Sequence, residues 1–152
     1  VIERHGWKLL FHDCLIEQLC RLDAAAARAK KQDPEGAASQ NANVKLFNAL
    51  SKLILERVPT DPASDEFRQG KTLGPAYRHW RRGKIGRRFR LFFRFDSTSR
   101  IIIYAWVNDT ESLRSAGSKF DPYVIFQKML NSGHPPDDWE ALLQASKTHW
   151  EL

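Results

Sequence analysis

The residues best suited to chemistry lie between Trp80 and Asp96. In Arg88-Phe-Arg-Leu-Phe-Phe-Arg-Phe95 the chain alternates with period two. Phe89, Leu91, Phe93 and Phe95 fall on one side, and Arg88, Arg90, Phe92 and Arg94 on the other. Strict alternation is the signature of a half-buried strand, because successive side chains point to opposite faces. Just upstream, Trp80, Arg82 and Lys84 share one face, and Arg81, Gly83 and Ile85 the other. If the two segments pair as antiparallel strands with Ile85 turned to the core, Arg82, Lys84, Arg90, Phe92 and Arg94 gather in one patch. A cationic face with an aromatic ring in it suits an anionic, planar ligand, and RNA is both.

RNA can be cut with its own 2′-OH as nucleophile. That needs a base near the hydroxyl, cations around the pentavalent phosphorane, and an acid for the departing 5′ oxygen. Arg82 and Arg90 suit the second task, since a guanidinium is always charged and its planar fork matches phosphate oxygens. Lys84 stands among arginines, an environment that favours the neutral, basic form of an amine. His79 and His134 are the alternative bases, since histidine titrates near neutrality. Phe92 or Trp80 would stack on an unpaired base, and Arg88 and Arg94 would contact phosphates or stand as ordinary solvated charges. Tyr104 and Trp106 read as core, Trp7 and Trp139 as packing residues, and His5, His12 and His149 carry no signal.

Competing chemistries find little support. There is no HExxH, P-loop, Gly-x-Gly-x-x-Gly or Gly-x-Ser-x-Gly motif. Asp96 is the lone acid between residues 68 and 100, against 11 Lys and Arg, so carboxylates to hold two catalytic metal ions are missing from this segment. The net charge of +6 comes wholly from that stretch, because the flanking parts are slightly acidic. A localised basic surface is the footprint of a polyanionic partner. The two cysteines, Cys14 and Cys20, are too few for a disulfide framework or a zinc site and read as small buried apolar residues. No metal and no cofactor are expected. With 152 residues, 42% apolar and 28% charged, the chain fits one globular domain over residues 1–152. No apolar run approaches a membrane span and no signal peptide is visible, so a cytoplasmic protein with no membrane partner is expected.

The elements that must position this patch follow from pattern and punctuation. Gly6–His12 is a short apolar strand. Asp13 caps a helix over about 13–31, with Leu15, Leu19, Leu22 and Ala26 on its apolar stripe. A breaker at 32–36 separates it from a second helix, about 41–58, which Pro59 stops. The two form a helical hairpin. After a loop from Thr60 to Gly74 come three strands, about 80–85, 88–96 and 100–108, joined by short turns into an antiparallel meander. Asp109–Lys119 is a polar loop. Asp121-Pro122 starts a helix that Gly133 ends. Pro135-Pro136 bends the chain, and Asp137 with Glu140 caps a last helix. The expected fold is α+β: a small antiparallel sheet in the order β-α-α-β-β-β-α-α, with helices on one face and the arginines on the other.

The arginine strand, Phe67-Arg-x-Gly-Lys71 with Leu73-Gly74, Trp106-Val-Asn-Asp and Met129-Leu-x-x-Gly-His-Pro-Pro-x-Asp-Trp-Glu140 together resemble the YhaV toxins, a branch of the RelE/ParE superfamily. The resemblance runs from about Gly6 to Glu140. It implies a RelE-like domain and a metal-independent endoribonuclease that cuts mRNA, on the ribosome, and arrests translation and growth. It also implies a PrlF-like antitoxin that covers the active face, in a complex that represses its own promoter DNA. The superfamily's basic strand positions map onto Arg82, Lys84 and Arg90. A further arginine follows the meander in that superfamily, and Arg114 is its nearest counterpart. The superfamily's C-terminal tyrosine has no clean match, because Tyr123 begins a helix in this reading. The alternative within the same fold is a non-catalytic nucleic-acid-binding or gyrase-poisoning module, which would lack the Arg82/Lys84/Arg90 set.

Overall fold

A computed structural model of the chain describes residues 1–32 and 41–149. The breaker expected at 32–36 lies, but for Gln32, outside them. The chain opens with a hairpin absent from the sequence reading: β1 (Ile2–Arg4) pairs antiparallel with β2 (Trp7–His12). His5 and Gly6 at its tip both have positive φ, 49° and 81°, as a two-residue turn matching the strand twist requires.

Helix α1 (Asp13–Gln32) follows without a break. Its cap is His12 rather than Asp13: the Cys14 N–H donates to His12 Nδ1 at 3.1 Å. Burial, with His134 close by, pushes the His12 pKa down to about 4. Asp13 pairs instead with Lys147 Nζ at 2.8 Å.

Helix α2 (Ala42–Lys52) starts on Asn41, whose side chain accepts the Asn43 N–H. The helix then widens into one π turn, Leu53–Arg57, and ends as α3 (Val58–Thr60). Pro59 therefore sits inside the last turn instead of ending the helix before it. In the π pattern the Val58 N–H donates to Leu53 O, so the next donor, residue 59, would serve Ile54 O. Proline has no N–H to give. The Tyr104 hydroxyl supplies it, donating to Ile54 O at 2.7 Å from the centre of the sheet. Full burial raises the Tyr104 pKa well above the usual phenol value.

The meander is as expected: β3 (Arg81–Ile85), β4 (Phe89–Asp96) and β5 (Ile101–Val107) pair antiparallel in sequence. Helix α4 (Pro122–Ser132) is capped by Asp121 and closed by Gly133 at φ 84°. Helix α5 (Trp139–Ala145) is capped by Asp138, not Asp137, with its carboxylate accepting from Ala141 N. A short β6 (Ser146–Lys147) adds to β2.

The class is α+β, with two corrections to the architecture. The sheet is mixed, not purely antiparallel: its order is β1-β2-β5-β4-β3, and β2 runs parallel to β5, Leu9 opposite Ile102. The α1–α2 layer lies between those strands in sequence and carries the chain back across the sheet before the meander begins. The helices also cover both faces. Leu9, Phe11, Leu91, Phe93, Ile102 and Tyr104 pack against Leu15, Leu19, Leu50, Leu53 and Ile54 on one side. Leu10, Phe92, Ile103, Ala105 and Trp106 pack against Tyr123, Phe126, Leu130 and Leu142 on the other. The central strands explain this, because β2 and β5 are buried along almost their whole length. Strands apolar on both sides need cover on both. No helix among the described residues is long and apolar enough to cross a membrane.

Replacing Tyr104 with Phe keeps the ring and removes the hydroxyl that serves Ile54 O. Leaving a buried carbonyl without a partner costs about 1–3 kcal/mol. Urea denaturation of Tyr104→Phe should show that loss of stability, with an unchanged denaturant slope.

Candidate active site

The site is built on the β3–β4 pairing. Its register sets Arg82 opposite Phe92 and Lys84 opposite Arg90, so these four share one face. Gly83 keeps β3 in that register from behind. A Cβ there would stand 2.7 Å from Leu53 Cδ2, so only glycine lets the strand lie this close to the helical layer. The residues on either side of it, Arg82 and Lys84, are thereby turned to the opposite face.

Asn108, just past β5, ties the other end together. Its Oδ1 accepts the Arg90 N–H at 2.7 Å, and its Nδ2 donates to Arg88 O at 2.9 Å and Ser112 O at 2.7 Å. The 109–114 loop is thus held against the start of β4, and Arg114 N donates to Arg88 O at 2.9 Å. This fold of the loop carries Arg114 to the basic patch.

Helix α4 lies over the same face, held by aromatic packing. Phe92 stacks on Phe126 with ring centroids 4.3 Å apart, and on Trp106 at 6.1 Å. A bulge in β5 makes the second contact. Phe92 faces Trp106 but Phe93 faces Tyr104, so Ala105 is an extra residue and Trp106 is turned to the α4 side.

The first turn of α4 then delivers Tyr123 to the arginines. Its hydroxyl oxygen accepts from Arg82 Nε at 3.0 Å and from Arg90 Nε at 3.1 Å. The Arg114 guanidinium lies over the Tyr123 ring, 4.9 Å from its centre, and Nη1 pairs with Asp121 Oδ1 at 2.7 Å. Asp121 is almost wholly buried and also accepts the N–H groups of Ser115 and Tyr123. Arg82 is fixed further by Glu66 O, and Arg90 by Phe89 O.

Among the described residues no carboxylate pairs with Arg82, Lys84 or Arg90. Two guanidiniums converge on one phenol oxygen, and neither is spent on a carboxylate among the described residues. With both lone pairs of the Tyr123 oxygen occupied, its one remaining hydrogen-bonding capacity is to donate its proton. The arrangement can grip a phosphate and protonate an oxygen beside it.

The remaining candidates are placed elsewhere. Phe92 has no exposed surface, so its ring seats α4 and is closed to a nucleobase. Arg94 lies between the rings of Trp80 and Trp139, 5.8 and 5.4 Å from their centres, and donates to Asp137 O. Burial lowers its pKa, and its task is to bind the α5 segment to the sheet. Trp80 is fully buried, and its Nε1 donates to Asp137 Oδ1 at 2.7 Å. His79 shares that carboxylate oxygen at 2.6 Å, at the start of β3 and not beside Tyr123. His134 follows the far end of α4, its ring 5.0 Å from that of His12. Arg88 is exposed at the rim, next to the backbone that Asn108 and Arg114 hold.

Tyr123 is the residue that sequence reasoning left unplaced. Asp121-Pro122 gave its position in the helix correctly, but nothing local says that the helix start lies over β3 and β4.

Comparison with known proteins gives the family. Residues 9–147 match the YhaV toxin family, described as toxins with endonuclease activity, of a toxin–antitoxin system. The chain is 41% identical to the ribonuclease toxin YhaV of Escherichia coli K12 over 148 residues, 95% of this chain and 96% of that one. It is 41% identical to toxin YhaV of Escherichia coli O6:H1 over 145 residues, 94% of each. No solved structure matches.

Two substitutions separate packing from chemistry on this face. Phe92→Ala opens a cavity beneath α4 and should cost about 3–5 kcal/mol. Arg82→Ala removes a half-exposed side chain and should cost within about 1 kcal/mol. Urea melts of the two variants, monitored by circular dichroism, should differ accordingly.

Proposed function

Because the chain belongs to the YhaV toxin family, whose members are toxins with endonuclease activity, we propose that it is a metal-independent endoribonuclease that cleaves mRNA through Arg82, Lys84, Arg90, Arg114 and Tyr123. The observation that carries this reading is the convergence of Arg82 and Arg90 on one phenol oxygen with no carboxylate among them.

The scissile phosphate sits against half-exposed Arg82, with the buried Arg90 guanidinium behind it. The 2′-oxygen attacks phosphorus, a 2′-O–P bond forms, and charge gathers on the equatorial oxygens. Fixed guanidiniums stabilise that charge without reorganising, which is the largest electrostatic contribution such a site can make. Lys84, opposite Arg90, takes the 2′ proton. Tyr123 gives its proton to the 5′ oxygen as the P–O5′ bond breaks, leaving a 2′,3′-cyclic phosphate and a 5′-hydroxyl. Arg114 holds Asp121 and the Tyr123 ring in place, and Arg88 at the rim contacts the adjoining backbone. No step draws on a metal ion.

The wider expectations belong to the same proposal. The protein acts in the cytoplasm, on mRNA at the ribosome, and stops translation. A PrlF-like antitoxin covers the arginine face, and the complex represses its own promoter. Charge supports the antitoxin contact, since exposed Lys84 and half-exposed Arg82 have no carboxylate partner among the described residues and favour an acidic segment.

Purified protein should cut RNA in EDTA, tested with and without ribosomes, and primer extension should map the ends. Arg82→Ala and Arg90→Ala should each lower cleavage by roughly 10²–10³-fold and relieve growth arrest. Tyr123→Phe should lower it by roughly 10²-fold or more with the fold intact. Lys84→Ala should lower cleavage by roughly 10²-fold or more with the fold intact. Native circular dichroism together with undiminished toxicity in both arginine variants would sink the site. Absence of cleavage in EDTA under both conditions would favour the non-catalytic module.

A further inference from the structure

Away from the arginines, three potential metal ligands meet where β2, α1 and α4 come together. The donor atoms of His12, Cys14 and His134 all lie within 4.8 Å of one another. His12 ends β2, Cys14 is in the first turn of α1, and His134 follows the left-handed cap of α4. Two of the three are buried and one is exposed. The His12 ring takes the Cys14 N–H, and the His134 N–H donates to Met129 O at 3.1 Å, closing the turn after α4. A groove of about 430 Å³ opens beside them, lined by Cys14, Glu17, Gln18, Met129 and His134 among others.

We propose that His12, Cys14 and His134 form a Zn²⁺ site with three protein ligands. One thiolate and two imidazoles are the donor set that suits a borderline-soft, tetrahedral ion, and calcium or magnesium would want oxygens instead. Water from the groove completes the fourth position. The step balances without a redox partner: a Cys14 S–H bond is lost, a Cys14 S–Zn bond forms, and one proton goes to solvent. The ring proton of His12 sits on Nε2 while Nδ1 accepts from Cys14. Coordination would go through Nδ1, giving up the Cys14 N–H bond and leaving the ring proton on Nε2, so the Cys14 proton is the one released.

The ion would clamp the C-terminal end of α4 to the sheet. Eleven helical residues rise about 16 Å, so this clamp lies one helix length from Tyr123 at the other end. Its role is to hold that helix, and it does not depend on the endonuclease reading.

The test uses the full chain, freed of metal and titrated with Zn²⁺, and with Co²⁺ as a spectroscopic stand-in. One ion per chain should bind, with a near-ultraviolet thiolate-to-cobalt charge-transfer band. Zn²⁺ at a hundredfold excess over its Kd should raise Tm by roughly 5–10 °C. Cys14→Ala should abolish the charge-transfer band, Cys20→Ala should keep it, and His134→Ala should weaken binding at least tenfold. If Cys14→Ala does not fold, the exposed His134 variant carries the test. No stoichiometric binding, or binding unchanged in His134→Ala, overturns the proposal.

Discussion

The stack of Phe92 on Phe126 and Trp106 is the contact on which the rest of this structure depends. It is an apolar interaction, and its consequence is electrostatic. It fixes α4 across the face where Arg82 and Arg90 project, and so it fixes where the Tyr123 hydroxyl stands. Without that cover the arginines would be a mobile, solvated patch. With it they share one acceptor at 3.0 and 3.1 Å and are held for an anion before one arrives. Positioning of this kind lowers the reorganisation that charge stabilisation would otherwise require.

Several unrelated constraints converge on that stack. The β5 bulge turns Trp106 toward α4, and Gly83 lets β3 lie against Leu53 so that its neighbours face the other way. On the far side of the sheet, Tyr104 completes the π turn that Pro59 leaves one donor short. Each is a place where a local rule is broken and a partner from elsewhere makes up the difference. Two of them, the bulge and Gly83, adjoin the arginine face.

The basic segment has two separate destinies. Arg82, Arg90 and Arg114 meet at Tyr123. Arg94, equivalent to Arg90 by alternation, is instead used between Trp80 and Trp139 to bind the α5 segment. Phe92 behaves in the same way, as part of the core. Family membership supports an endonuclease, and on a single face of the sheet Arg90 meets Tyr123 while Arg94 serves packing.

Much of this was legible in the residues themselves. Period-two alternation located β3 and β4, and with them the shared face of Arg82, Lys84 and Arg90, because side-chain direction in a strand is a local property; β5 was marked by its near-continuous apolar run. Asp121, Pro122 and Gly133 marked the ends of α4 for the same reason, since caps act within one turn. The second helical layer, the parallel β2–β5 pairing, the bulge at Ala105 and the placing of Tyr123 were not legible. Each depends on which surfaces meet across long stretches of chain, and burial is decided by that meeting rather than by any residue's neighbours in sequence. The alternation could say that Phe92 and Arg94 point the same way as Arg90, but only the packing of α4 and α5 decided that they point into the protein.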